Sequence, residues 1–62
     1  MSDEFNMSMR KFLKQVGVTS QQAIEAAIRE KGGSGEYKVR AVVTIEDLGM
    51  THEVTGTIKG EG

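Results

Sequence analysis

The stretch KFLKQVGVTSQQAIEAAIRE, residues 11–30, decides the fold because the rest of the chain is arranged around it. Gly17 stands where a left-handed residue could end a helix, and glycine adopts that conformation without a Cβ penalty. Leu13 and Val18 occupy the two positions of the apolar contact that accompanies a Schellman ending. Thr19 then follows as an N-cap, with a glutamine at the third helical position to complete a capping box. The sequence therefore predicts a corner between two helices.

Apolar residues on each side of this corner recur at helical spacing. Before the corner, Ser2 can cap a helix, and one buried stripe is predicted from Phe5, Met9, Phe12, Leu13 and Val16. After the corner, one face of a second helix carries Ala23, Ile24, Ala27 and Ile28. We expect helices over about 3–16 and about 20–31, the second ending at a glycine-rich linker.

The hydrophobic period changes from about 3.6 to 2 after this linker. Apolar and polar residues alternate over 36–45 and again over 50–59, which predicts two strands. The register that keeps the two apolar rows together places Tyr37 opposite Ile58. Because an isolated hairpin is barely stable in water, we expect the two helices to pack on one face of an antiparallel β-hairpin.

Length and composition limit the choice of fold and function. The chain has 62 residues, no cysteine and a net charge of −1. A chain this short predicts a single α+β domain over 1–62 with a thin core. The small net charge does not favour nucleic acid or anionic lipid as a partner. The polar start and the lack of a run of about 20 apolar residues lead us to expect a cytoplasmic protein without membrane association.

Titratable and nucleophilic residues do not occur at the spacings that a reaction requires, so we expect no enzyme, no catalytic residue and no cofactor. His52 is the single histidine and could shuttle a proton or bind a metal. No other histidine or cysteine accompanies it, and a half-buried position in the hairpin explains it more simply. We therefore expect no metal site.

A candidate interaction surface is selected from side chains that the predicted core does not use. On the first helix, Met7 and a cluster of basic residues lie off the apolar stripe. On the hairpin, Val42 stands among threonines on the outer face, and His52 lies near the loop. The basic cluster could contact phosphates, although a solvated helix face is the simpler interpretation. The candidate residues are Met7, Arg10, Lys11, Lys14, Val42 and His52.

The favoured function is a non-catalytic protein-interaction or regulatory domain. Its partner is an unidentified protein, or a second copy in a weak homodimer, because both hairpin strands are edges that could extend the sheet. The alternative is nucleic-acid binding by the helical corner, which is similar to a helix-turn-helix motif. In that reading the second helix carries Glu25 and Glu30 beside Arg29 and Lys31, and so lacks the net positive charge needed to approach a phosphate backbone.

The run FNMSMRKFLKQVGVTSQQAIEAAIRE and the hairpin segment TIEDLGMTHEVTGTI together resemble a family of small uncharacterised bacterial proteins, a domain of unknown function. The resemblance covers most of the chain, and NMSMRKFLKQVGVTSQ is its more specific part. It implies a helix-corner-helix followed by a C-terminal β-hairpin. It implies no activity, so no functional residue is assigned from it.

Overall fold

The structure is a computed structural model that describes residues 2–60. One helix, α1 (Asp3–Glu30), is followed by strand β1 (Glu36–Ile45), a single 3-10 turn (Glu46–Leu48) and strand β2 (Met50–Lys59). The predicted α+β class with a C-terminal hairpin is confirmed. The chain divides between Gly32 and Gly33 into a helix unit and a hairpin unit.

Helix α1 begins at the predicted cap. The hydroxyl of Ser2 accepts a hydrogen bond of 3.2 Å from the backbone N–H of Phe5, which satisfies one of the donors left unpaired at a helix start. Asp3 and Glu4 occupy the first turn, where carboxylates face the positive end of the helix dipole. The beginning of the helix therefore follows from local sequence alone.

The prediction of two helices, 3–16 and 20–31, is wrong, because α1 runs through Gly17 without interruption. Thr19 is not an N-cap: its hydroxyl donates a hydrogen bond of 2.8 Å to the carbonyl of Gln15 within the helix. Glycine, valine, threonine and serine each cost the helix only about 0.5–1 kcal/mol relative to alanine. Starting a second helix would require a new and unfavourable nucleation step. Extending the existing helix across Gly17 is therefore favoured, because strong helix formers lie on both sides. The helix-turn-helix-like corner is absent for the same reason.

Strands β1 and β2 pair in the predicted antiparallel register. Tyr37 lies opposite Ile58 and Val43 lies opposite His52. At the loop end of the hairpin, Ile45 pairs with Met50. The half-buried strand side chains all belong to the apolar face and are Tyr37, Val39, Val43, Met50 and Ile58. Cross-strand contact on one face therefore organises the hairpin unit.

Backbone hydrogen bonds close both ends of the hairpin. At the loop, Gly49 has a φ of 60° and its N–H donates to the carbonyl of Glu46 at 3.1 Å. At the base, the N–H of Gly60 donates to the carbonyl of Gly35 at 2.7 Å, beside a 2.7 Å bond from the Tyr37 hydroxyl to the Ser34 carbonyl. The predicted loop at 46–49 is thus a compact turn.

No residue between positions 2 and 60 is fully buried. The predicted packing of the helical region on one hairpin face and the predicted single domain over 1–62 stay predictions. The described part of the chain contains no helix with the length and apolar character needed to cross a membrane.

Candidate functional site

The candidate surface residues are distributed over both units. Four of them, Met7, Arg10, Lys11 and Lys14, lie on α1. The other two lie on the hairpin, where Val42 pairs with Glu53 and His52 pairs with Val43. Adjacent strand positions point to opposite faces, so Val42 and His52 do not share a surface.

The four helical candidates line one surface depression, together with Glu4 and Ser8. Helical spacing explains this grouping, since residues three and four apart are neighbours on a helix. Met7 is 68% exposed and stands among three cations. The result is a basic face on α1 with an apolar centre, defined by Met7, Arg10, Lys11 and Lys14.

The cations of this basic face have no carboxylate partner within residues 2–60. The ion pairs found there join Arg29 to Glu25 at 3.7 Å and Arg40 to Glu53 at 3.5 Å. Both pairs are exposed, and exposed pairs contribute at most about 1 kcal/mol. The basic face is therefore open to an anionic partner.

A second surface of α1, which the sequence assigned to the core, is apolar and exposed. Phe5, Met9, Phe12 and Leu13 are 49, 45, 54 and 51% exposed, although they form the stripe that was expected to be buried. Val16 on the same stripe is half-buried. Sequence reasoning missed this stripe as a functional surface because amphipathic spacing indicates which face is apolar but not what covers it.

The hairpin unit also exposes apolar side chains. Val42 is 50% exposed on one face, and Val54 is 53% exposed on the other. The sheet has two strands, so each strand keeps one edge whose amides and carbonyls are unpaired within the sheet. Leu48, in the 3-10 turn, is 74% exposed, more than any other large hydrophobic residue within positions 2–60.

His52 is exposed rather than half-buried as predicted. Its neighbour across the sheet is Val43, which offers no hydrogen-bonding side chain. Across residues 2–60, no cluster of three or more His, Cys, Asp or Glu is placed to hold a metal ion.

Comparison with known proteins gives a family match without a function. The model of a family of unknown function, DUF6494, matches residues 1–61. No curated protein and no solved structure matches the chain.

Proposed function

This chain belongs to DUF6494, a family of unknown function, and we propose that it works as a non-catalytic protein-interaction or regulatory domain. The proposal rests on the apolar stripe of α1. Four large apolar side chains of this stripe are between 45 and 54% exposed. Monomeric soluble proteins rarely expose large contiguous apolar patches, and such patches typically mark interaction sites.

The energetics of burial support a protein partner. Each large apolar side chain contributes about 1.5–3 kcal/mol when it passes from full exposure to full burial. Phe12 and its neighbours are about half exposed, so covering them adds a substantial part of that amount. The small net charge of −1 supplies no comparable electrostatic attraction toward a polyanion.

Nucleic-acid binding keeps one supporting observation. The continuous helix removes the corner that suggested a helix-turn-helix motif. What remains is the basic face of α1, whose cations lack carboxylate partners among residues 2–60. Protein interaction is preferred because the exposed apolar stripe extends over more of the helix than the basic face does. The cytoplasmic location expected from the sequence stays a prediction.

Photo-crosslinking in cells that naturally make the protein tests this proposal. A benzophenone side chain in place of Phe12 should give covalent adducts with protein. The matched control replaces Gln22, which is also exposed but lies on the polar side of the helix. Equal yields from the two positions, or no protein adduct from either, would contradict the proposal.

A gel-shift experiment with duplex and single-stranded DNA tests the alternative. A protein that binds phosphates with its lysines and arginines releases counterions, so its affinity falls steeply as salt rises. We expect no retardation at physiological salt. Salt-sensitive retardation would reverse the preference for a protein partner.

A further inference from the structure

Four members of the apolar stripe of α1, without Leu13, are continued past Gly17 by a row of small side chains. The spacing of the combined row in sequence is 4, 3, 4, 4, 3, 4, and its members are Phe5, Met9, Phe12, Val16, Ser20, Ala23 and Ala27. At about 100° per residue these positions fall within an arc of about 80°. The continuous helix therefore places residues from both predicted helices on one face, called here the long stripe, while the half-buried Ile24 and Ile28 lie outside this arc.

The long stripe has large side chains in its N-terminal half and small side chains in its C-terminal half. Its N-terminal half carries Phe5, Met9 and Phe12, each close to half exposed. Its C-terminal half carries Ser20, Ala23 and Ala27, which are also exposed. Small residues on one helix allow a neighbouring helix with large residues to approach closely.

The spacing of the long stripe reads the same in both directions from Val16. A second copy that runs antiparallel, with a two-fold axis at Val16, therefore places every member of one stripe opposite a member of the other. In this register Phe5 lies opposite Ala27, Met9 opposite Ala23, and Phe12 opposite Ser20. A two-fold interface must be self-complementary in this way.

We infer that the partner of the long stripe is a second copy of this chain, bound antiparallel with Val16 at the two-fold axis. This inference rests on the proposed interaction function and names its partner. The side-chain sizes are complementary at every step away from the axis. A parallel pair would place phenylalanine against phenylalanine and leave a gap between the alanines.

Charge at the helix ends favours the same orientation. The first turn of α1 carries the two carboxylates of Asp3 and Glu4, whereas its last turn carries both Arg29 and Glu30, whose charges cancel. Lys31 follows as the C-cap. The antiparallel register separates the two acidic first turns, places Asp3 of one copy opposite Arg29 of the other and opposes the two helix dipoles. A parallel pair would bring the two acidic first turns together.

Single-cysteine variants test the inference directly, because the natural chain contains no cysteine. Packed helices lie about 8–10 Å apart with Cα atoms about 2.3 Å from each axis, so the two copies of residue 16 come within disulfide reach. Val16→Cys should therefore form a covalent dimer under mild oxidation. Val18→Cys is the control, since Val18 is exposed on the opposite side of the helix.

The orientation is tested with two further variants. In the antiparallel pair, the two copies of residue 9 are about 21 Å apart, so Met9→Cys should not cross-link with itself. A mixture of Met9→Cys and Ala23→Cys should form the mixed disulfide. Non-reducing mass spectrometry measures the products, and circular dichroism confirms that each variant keeps its helix.

We expect Val16→Cys and the Met9→Cys/Ala23→Cys mixture to cross-link at least tenfold faster than Val18→Cys. Equal rates for Val16→Cys and Val18→Cys would overturn the inference. Fast self-linking of Met9→Cys would overturn the antiparallel orientation. If no variant cross-links while the benzophenone at position 12 captures a different protein, the inference fails and the proposed function stands.

Discussion

Gly17 is the residue at which the continuity of α1 is least supported by intrinsic propensity. A glycine in a helix interior costs about 0.5–1 kcal/mol relative to alanine because its backbone loses more conformational entropy. No atom lies within 4 Å of the position that a Cβ on Gly17 would occupy. The helix therefore has room for a larger residue here.

Gly17→Ala should raise the free energy of unfolding by about 1 kcal/mol, since it replaces glycine by the best helix former without a clash. Thermal unfolding followed at 222 nm, at one fixed protein concentration, measures the change. Gly49→Ala is the matched control and should lower stability by about 1 kcal/mol, because Gly49 has a φ of 60°. A loss of stability in both variants would mean that Gly17 ends a helix after all.

Single residues also show how far sequence reasoning reaches. The cap at Ser2 could be predicted because its bonded partner, Phe5, is only three residues away, so the signal is local. Thr19 could not be assigned in the same way. A threonine can cap a new helix or donate back to the carbonyl of an existing one, and the choice depends on nucleation cost rather than on residue type. The unbroken spacing of the long stripe across positions 16–23 was the available signal for one helix.

At the scale of the elements, the hairpin register followed from the alternation of faces. A shift by one residue would have turned every apolar side chain to the polar face, so few registers were compatible with the sequence. Arg40 and Glu53 are diagonal neighbours in this register, and their charged groups lie 3.5 Å apart. The 3-10 turn was not predicted, because Glu46 to Gly49 carries turn residues that fit more than one turn type.

The base of the hairpin gives a test of this element. A Cβ added to Gly60 would lie 2.5 Å from the carbonyl oxygen of Gly33, whereas a Cβ on Gly56 would meet no atom within 4 Å. Gly60→Ala should therefore disrupt the bond from its N–H to the Gly35 carbonyl and open the hairpin base. Gly56→Ala should leave the base intact.

Amide hydrogen exchange measures this difference residue by residue. We expect Gly60→Ala to reduce protection in the last residues of β2 and in the first residues of β1, while protection near Gly49 stays unchanged. The same protection pattern in Gly60→Ala and Gly56→Ala would show that the close approach at Gly60 does not exist in solution.

At the scale of the whole molecule, the sequence indicated which faces are apolar but not their partners. The basic face was predictable as a group because Met7, Arg10, Lys11 and Lys14 are helical neighbours. Val42 and His52 could not be joined to it, since they lie on opposite faces of the hairpin. The stripe of Phe5 and Phe12 was assigned to a core because a helix with an apolar face must bury that face against another surface. The sequence does not indicate whether this surface belongs to the same chain or to another one.

Self-association through the long stripe is the central claim at this scale. Phe12 should be important to it, because large aromatic side chains at the centre of an interface contribute most to affinity. Each dimer contains two copies of Phe12, so Phe12→Ala should weaken the dimer by roughly tenfold or more. Met7→Ala is the control, since Met7 is exposed but lies outside the stripe.

Sedimentation equilibrium of the natural chain and these two variants, from roughly 10 μM to roughly 1 mM, tests the claim most directly. The mass of the natural chain is 6.7 kDa. We expect the natural chain and Met7→Ala to approach twice that mass with the same concentration dependence, and Phe12→Ala to remain closer to the single-chain mass. A single-chain mass for the natural protein at every concentration, or identical association by Phe12→Ala, would contradict the claim.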